Sequence, residues 1–413
     1  MPLIADRLRA WCLAGLIIFL PLSAWLVSLT GQNWVGLGRD LLLAFFIVFS
    51  LIGRFTSSVV ERRQVQKPNI PTWLAIIFVL LVLASYFYRQ DSIEQWLRGV
   101  RYLVEPLLLF VTLQMFPLAM PHKNLWRALA FITTLVIIGV VIEFFSPNFL
   151  RATLDATGRG YLGQIHLASS LTRLQSTLAG PNALGLFLMT ALLLFPIWQK
   201  TVSRNLAIFA GGLGLVALLL TFSRSSYTGF LFGGATLITA GGQVIGKSAR
   251  LLTVSLVVLL VLIGVLLIAR PEELVRTASN ATRFEQYERV WAQKSEIGWW
   301  GRGAGAAGLV SVDRLDGGPN FYTENSYLDA YEAAGLLAAL AYLGFWITLV
   351  WSLLRTKTIT TIVIGAATLG LAVAGIFINH YTGQAAIWLV LLFAGLALRQ
   401  VDETGEGSLK PTA

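Results

Sequence analysis

The sequence predicts an all-α polytopic membrane protein with about twelve transmembrane helices and one large external loop. Hydrophobic residues make up 56% of the 413 residues and charged residues only 13%, and the mean hydropathy is +0.71. A soluble domain contains about 25% charged residues, so an ordinary soluble fold is excluded. Apolar runs of about 20 residues recur along the chain, and a run of that length crosses a bilayer as a helix.

The first apolar run, residues 10–29, follows Arg7 and Arg9 and therefore has some features of a secretion signal. It is too long for a typical signal core and lacks a clear small-residue cleavage site. We interpret it as the first transmembrane helix. This run contains Cys12, the single cysteine of the chain, so an intramolecular disulfide and a cysteine metal cluster are excluded.

The positions of Lys and Arg predict the orientation of the helices. If the N-terminus is cytoplasmic, every connection on that side is basic, and cytoplasmic loops are expected to be rich in Lys and Arg. The sequence thus predicts that both termini are cytoplasmic, and the net charge of +10 indicates membrane orientation rather than nucleic acid binding. The predicted spans are residues 10–30, 38–53, 72–88, 103–119, 127–145, 181–198, 205–222, 227–245, 251–268, 328–353, 358–378 and 384–398.

Three segments on the opposite side break this charge rule: residues 89–101, 151–173 and the long loop. A basic cavity for an anionic ligand and surface contact with anionic lipid headgroups are both open explanations. Polar and apolar residues alternate at helical spacing in residues 89–101, which predicts a helix lying along the membrane interface.

The long loop, residues 269–327, divides the predicted architecture. Loops longer than about 15 residues are uncommon in compact architectures and are usually functional or disordered, and the aromatic content of this one argues against disorder. Residues 1–268 hold helices 1–9, and residues 328–399 hold helices 10–12. Residues 400–413 form a polar cytoplasmic tail that is predicted to be disordered.

Two arginines are candidates for binding an anion. Arg224 directly follows an apolar run, where an arginine is costly unless it snorkels to the interface or meets an anion. Arg289 lies in residues 283–291, which can form a short helix. A guanidinium presents a fork of donors that matches phosphate oxygens, so the pair is suited to a pyrophosphate; snorkelling of Arg224 remains the alternative.

Glu324 stands immediately before the tenth predicted span. A carboxylate there can act as a general base towards a hydroxyl, or it can simply cap the helix and complement its dipole. His380 ends the eleventh span on the same side and is a second polar candidate. The chain has only three histidines and no metal-ligand spacing, so neither a metal site nor a cofactor is expected.

The glycines at 303, 305 and 308 formally match a dinucleotide-binding fingerprint. No βαβ unit surrounds them, and we interpret them as a closely packed turn.

The motif order resembles the O-antigen ligase and O-antigen polymerase family over about residues 152–383. The motifs are Pro181-Asn182-Ala-Leu-Gly185, Ser223-Arg224, Arg289-Val-Trp291, the glycine-rich turn and Glu324-Asn325-Ser-Tyr327-Leu328. The resemblance implies a GT-C-like membrane glycosyltransferase of the bacterial inner membrane. It also implies twelve spans, with a large periplasmic loop between helices 9 and 10 and the active site on the periplasmic side.

The resemblance also implies the chemistry. The donor would be a glycan on undecaprenyl diphosphate and the acceptor a hydroxyl of another glycan, with inversion at the anomeric carbon and no nucleotide sugar. Arg224 and Arg289 would bind the diphosphate, and Glu324 would activate the acceptor. The further residues expected to bind substrate are Arg173, Asn325, Tyr327, Trp291 and His380.

Glu324 marks a departure from the ligase pattern. Ligases that attach O-antigen to lipid A-core commonly have His-Asn there, and acidic residues are more usual in polymerases, which favours a polymerase-like enzyme with ligation as the alternative. A transporter of an anionic solute and a non-catalytic glycolipid-binding or flippase component are the other classes. Transporters usually carry polar residues at mid-membrane, whereas these spans are polar mainly at their outer ends. Expected partners are the bilayer and other glycan-assembly membrane proteins, and not nucleic acid.

Overall fold

A computed structural model describes residues 2–30, 37–56, 68–89, 92–116, 118, 123–146, 173–245, 277–311, 322–380 and 384–404, with isolated positions between 257 and 268. The regular structure in these ranges is helical throughout, which confirms the predicted all-α class. The helices are α1 (Pro2–Thr30), α2 (Leu37–Thr56), α3 (Ile70–Arg89), α4 (Ile93–Met115), α5 (Lys123–Phe145), α6 (Pro181–Leu193), α7 (Phe195–Trp198), α8 (Arg204–Leu220), α9 (Arg224–Ile245), α10 (Thr277–Ala292), α11 (Lys294–Ile297), α12 (Ser326–Arg355), α13 (Ile359–Ala374) and α14 (Gln384–Thr404). Short 3-10 helices cover Gln199–Thr201 and Gly308–Ser311.

Within the described ranges, four helices are long and apolar enough to cross a membrane: Ile4–Thr30, Ile70–Tyr88, Lys123–Phe145 and Ser326–Arg355. A fifth is obtained if α6 and the following segment to Thr201, which bend by 53°, count as one span. These helices support a helical membrane protein. The total of about twelve spans stays a prediction, and the predicted ninth span, residues 251–268, lies outside the described residues except for isolated positions.

Glycines allow α9 and α13 to pack in close backbone contact. A Cβ atom on Gly229 would lie 2.4 Å from the carbonyl oxygen of Gly370, and one on Gly233 would lie 2.7 Å from the carbonyl oxygen of Ala366. Small residues at such crossings let helices approach closely in a membrane, where packing rather than water exclusion holds them together. This contact fixes α9, which begins at Arg224.

The segment predicted as a separate interfacial helix is instead part of α4, which runs from Ile93 to Met115 without a break. Two charged residues in the middle of α4 are paired with α2. Arg39 contacts Glu105 at 2.8 Å, and Arg101 contacts Asp40 at 2.7 Å. Because the neighbouring helix neutralises these charges, α4 can continue through them.

α12 is opened at Gly335, where φ is +84° and ψ is −176°. The loop enters this opening: the backbone N–H groups of Arg302 and Gly303 donate to the carbonyl oxygens of Glu332 and Ala333. The N–H of Leu336 donates to the carbonyl oxygen of Gly298 at 3.3 Å. The loop backbone therefore satisfies groups that an unbroken helix would satisfy itself.

Replacing Gly335 with alanine is expected to lower the thermal unfolding midpoint of the protein in detergent. The positive φ alone costs a non-glycine residue about 1–3 kcal/mol. In addition, a Cβ atom would lie 2.0 Å from the carbonyl oxygen of Trp299. Gly212→Ala is the matched control, because Gly212 lies within a helix and a Cβ atom there meets nothing within 4 Å. Equal midpoints for the two variants would show that the loop can leave α12 without loss.

Candidate active site

One face of α10 lies against the segment that precedes α12. Four polar side chains recur every third residue on this helix, and residues three apart are neighbours on a helix surface. Each is engaged by a residue outside α10, either at the start of α9 or in residues 322–324. We call this set the α10 stripe, and its members are Asn280, Arg283, Gln286 and Arg289.

Glu324 is held by the middle of the α10 stripe. Its carboxylate oxygen Oε2 accepts from Nε of Arg283 and is in ion-pair contact with Nη2 of the same guanidinium. Its backbone N–H donates to Oε1 of Gln286 at 3.2 Å. The Glu324 side chain is 26% exposed, so it can still be reached from outside. A partly buried carboxylate can act as an acid–base group when the guanidinium beside it does not occupy it.

Asn325, rather than Glu324, caps α12. Its side-chain oxygen accepts from the backbone N–H groups of Tyr327 at 2.9 Å and Leu328 at 3.0 Å. Its Nδ2 donates to the carbonyl oxygen of Ile376 at 3.0 Å, which ties the cap to the chain after α13. The capping role that the sequence left open for Glu324 is therefore taken by its neighbour.

Replacing Asn325 with alanine is expected to destabilise the protein by about 0.5–2 kcal/mol, the usual cost of a lost N-cap. Asn325→Asp keeps the accepting oxygen and is expected to recover most of this loss. Thermal unfolding midpoints in detergent measure both effects. If the two variants lost the same amount, the contact from Nδ2 to Ile376, rather than the cap, would carry the stability.

Arg224 stands at the first position of α9, where its Nη1 donates to Oδ1 of Asn280 at 2.8 Å. Arg173 supports the turn just before it. The Arg173 Nε donates to the carbonyl oxygen of Thr221 at 2.7 Å, and its Nη2 donates to Oδ1 of Asn182 at 2.7 Å. Only 5% of Arg173 is exposed, so it is placed to position Arg224 rather than to meet a ligand in solution.

Arg289 lies at the far end of the α10 stripe. Its Nη2 donates to the carbonyl oxygen of Tyr322 at 3.1 Å, and it interacts electrostatically with the buried carboxyl groups of Asp329 and Glu332. Asn280, the partner of Arg224, and Arg289 are nine residues apart, which is about 14 Å along the helix axis. The two predicted clamp residues thus meet different parts of α10, with Arg283 between them.

A cavity of about 600 Å³ opens beside this end of the stripe. Three predicted substrate-binding residues line it together, namely Trp291, Asn325 and Tyr327. The remaining lining is mostly apolar and includes Val290 and Leu328. Trp291 is 71% exposed, and its ring lies 4.1 Å from Nζ of Lys294. An exposed indole at the mouth of an apolar cavity offers a surface for a lipid or a sugar.

His380 is not grouped with these residues, because its side chain is fully buried. Nε2 lies 2.8 Å from the carbonyl oxygen of Leu371, which can only accept, so Nε2 donates and Nδ1 accepts from the hydroxyl of Tyr342 at 2.9 Å. Burial lowers the pKa of His380, so its ring is neutral at neutral pH. Its backbone N–H donates to Oγ of Ser326. The direct contact with substrate that was predicted for His380 does not fit this burial, and the residue instead anchors the start of α12.

The sequence reasoning missed Arg283, the residue that contacts Glu324. Its signal was the three-residue spacing with Gln286 and Arg289, which places these side chains on one face of a helix. It also missed Asp329 and Glu332, which are buried in the first turns of α12. Asp329 accepts from the backbone N–H of Thr323 at 3.2 Å and so fixes the residue before Glu324.

A comparison with known families supports one of the candidate classes. The family model described as O-Antigen ligase matches residues 207–343. The resemblance to the O-antigen ligase family is confirmed. The matched segment covers less than half of the 413 residues, but it contains Arg224, the whole α10 stripe and Glu324. A match to the O-antigen ligase family supports a glycosyltransferase-type membrane enzyme with glycan or lipid-linked substrates. No curated protein matches the sequence.

Proposed function

We propose that this protein is a membrane glycosyltransferase that moves a glycan from undecaprenyl diphosphate to a hydroxyl of another glycan. The observation that carries the proposal is the placement of Glu324 against the arginine-bearing face of α10, within the segment that matches the O-antigen ligase family. A base for the acceptor and cations for a phosphorylated leaving group are the two requirements of this transfer. The acidic residue before Asn325 favours a polymerase-like enzyme over a ligase acting on lipid A-core.

The proposed step breaks one bond and forms one. The acceptor oxygen attacks the anomeric carbon on the face opposite the diphosphate, and its proton passes to the Glu324 carboxylate. The bond between the anomeric carbon and the diphosphate oxygen breaks, its electron pair leaves with the lipid diphosphate, and the anomeric centre inverts. To bind the diphosphate together and stabilise the charge that develops on it, Arg224 and Arg289 would leave their present contacts, which lie about 14 Å apart along α10. Neither a metal nor a nucleotide sugar is required.

The cavity beside α10 supports a lipid-linked donor. Its apolar lining matches an isoprenoid chain, because burying apolar surface is favourable in proportion to the area removed from water. Trp291 and Tyr327 line this cavity, and aromatic residues of this kind are favoured where a membrane meets water. Asn325 lies on the cavity wall next to Glu324 and is proposed to contact the sugar nearest the diphosphate. Arg173 and His380 act as positioning residues for Arg224 and for the start of α12.

The proposed arrangement in the membrane follows the loop charges. Residues 1–268 would form helices 1–9, residues 269–327 the periplasmic loop and residues 328–399 helices 10–12. The cytoplasmic tail, residues 400–413, would begin inside the last turns of α14, which continues to Thr404. Both termini would face the cytoplasm of the bacterium, and the inner membrane would hold the enzyme with its active site in the periplasm.

Purified protein incubated with an undecaprenyl-diphosphate glycan, with and without lipid A-core, tests the function. Chain extension in the absence of lipid A-core is the expected result and identifies a polymerase. Transfer only to lipid A-core identifies a ligase. No transfer to either acceptor, together with movement of the glycolipid or of a labelled anion across proteoliposomes, would replace this proposal with a flippase or a transporter.

A further inference from the structure

Arg283 occupies the carboxylate that is proposed as the base. Its Nε donates to Oε2 of Glu324, and its Nη2 is in ion-pair contact with the same oxygen. A carboxylate has about four lone-pair sites, two on each oxygen, so the guanidinium takes up Oε2. In this arrangement Oε2 does not take the proton of an acceptor hydroxyl, and only Oε1 is left for it. The unliganded site therefore holds one of the two oxygens of its base.

The contact between Arg283 and Glu324 is suited to exchange. The strongest guanidinium–carboxylate pairs use two parallel bonds to two different oxygens, whereas Arg283 directs both donors to one oxygen. The side chains are 18% and 26% exposed, so water reaches both partners. An anion with two or more oxygens at the right spacing would form the parallel pair that Glu324 does not form here.

Arg283 is also a neighbour, on α10, of the residue that Arg224 contacts. Arg224 donates to Asn280, which precedes Arg283 by three residues on α10, and residues with this spacing have Cβ atoms about 5–6 Å apart. A diphosphate bound by Arg224 would therefore lie within reach of the Arg283 guanidinium. Such a ligand carries more negative charge than one carboxylate, and its oxygens match the guanidinium fork.

We propose that Arg283 exchanges partners in each catalytic cycle. In the empty site it holds Glu324; when the donor binds, it turns to the diphosphate and releases Glu324 to take the acceptor proton. This inference rests on the proposed glycosyl transfer and adds a third arginine to it. The exchange itself transfers no proton and breaks no covalent bond. Its consequence is that Oε2 of the base becomes available only after the leaving group is in place.

Equilibrium binding of undecaprenyl diphosphate, which carries no glycan, tests the exchange without any need for turnover. Because Glu324 competes with the lipid diphosphate for Arg283, Glu324→Gln is expected to bind it about three- to tenfold more tightly than the wild type. Arg283→Ala is expected to bind it about three- to tenfold more weakly. In the double variant Arg283→Ala/Glu324→Gln, the affinity is expected to stay within about twofold of that of Arg283→Ala, because the two residues act as one coupled pair.

The double variant separates competition from a general charge effect. Removing any negative charge near the site raises the affinity for an anion. If this general effect were the cause, Glu324→Gln would still raise the affinity when Arg283 is absent. Glu296→Gln is the matched control, because Glu296 pairs with Arg302 at 3.2 Å elsewhere on the loop. It removes the same charge and breaks an ion pair, and its affinity is expected to remain within about twofold of the wild type.

Two results would overturn the exchange: an unchanged affinity in Glu324→Gln, or a gain in affinity that persists without Arg283. If Arg283→Ala does not fold, Arg283→Lys replaces it, because lysine keeps the charge without the fork. In the Arg283→Lys background, Glu324→Gln is expected to produce less than half of the gain in affinity for undecaprenyl diphosphate that it produces in the wild type. Glycan transfer is measured separately. If the wild type transfers glycan but the effect of Glu324→Gln on affinity does not depend on Arg283, only the exchange is refuted. If that dependence is observed but no glycan is transferred, the proposed reaction is refuted and the exchange of partners on binding stands.

Discussion

Replacing Glu324 with glutamine is expected to slow glycan transfer by about 10²- to 10⁴-fold, the usual contribution of a positioned general base. Glutamine has nearly the same shape and still offers an oxygen to Arg283, but it cannot take the proton of the acceptor hydroxyl. The measurement is the initial rate of chain extension by purified protein from an undecaprenyl-diphosphate glycan. Thermal unfolding of the same samples checks that the variant is folded.

Two further variants make the test of Glu324 specific. Glu285→Gln removes a carboxylate from an exposed position on α10 and is expected to leave the rate unchanged. Glu324→His introduces a different base at the same place, and an imidazole can also accept the hydroxyl proton, so this variant is expected to recover part of the lost rate. Retention of more than about a tenth of the wild-type rate by Glu324→Gln would assign the base to another residue.

Replacing Arg224 with alanine is expected to slow the transfer by about 10²- to 10³-fold, as is found when one charge-stabilising donor is removed from an active site. Arg224 stands at the start of α9, where its guanidinium donates to Asn280 and Ser279 of α10. To bind a diphosphate, it would exchange these partners for phosphate oxygens. The rate of chain extension and the affinity for undecaprenyl diphosphate are both expected to fall.

Arg224→Lys distinguishes charge from geometry. Lysine keeps a cation but offers a single point of contact in place of the fork, so an intermediate rate is expected. Arg204→Ala is the matched control, because Arg204 is an exposed arginine at the first position of another apolar helix, α8. Full transfer by Arg224→Ala would show that this arginine only snorkels to the membrane interface, the alternative that its position also allowed.

The fold class could be predicted because composition alone separates a membrane bundle from a soluble domain. The continuity of α4 could not, because it depends on a partner helix. Residues 93–101 have the mixed polarity of an interfacial helix when taken alone. They continue into the bundle because α2 supplies Asp40 and Arg39 to neutralise Arg101 and Glu105. Ion pairs between helices that are distant in sequence cannot be predicted from the hydrophobic periodicity of either helix.

Site residues that lie at the end of an apolar span could be predicted from the sequence. Site residues whose role depends on which face of α10 packs against residues 322–324 could not. Arg224 and Glu324 border apolar spans, so their positions were visible in the sequence. Arg283 lies among several charged residues, and only the packing of α10 against residues 322–324 selects it. His380 also borders a span, but Tyr342 and Leu371 enclose its ring, and burial of that kind depends on tertiary contacts.

The opening of α12 at Gly335 divides one long helix into two mechanical parts. Before the opening, the first turns bear the Asn325 cap and are joined to α10 through Glu324 and Gln286. The helix as a whole, Ser326–Arg355, has the length and composition of a membrane span. Spans adjust their tilt when bilayer thickness changes, and the loop is hydrogen-bonded to the helix on both sides of the opening, at Ala333 and at Leu336. A change in the tilt of this span would therefore be passed on to the loop.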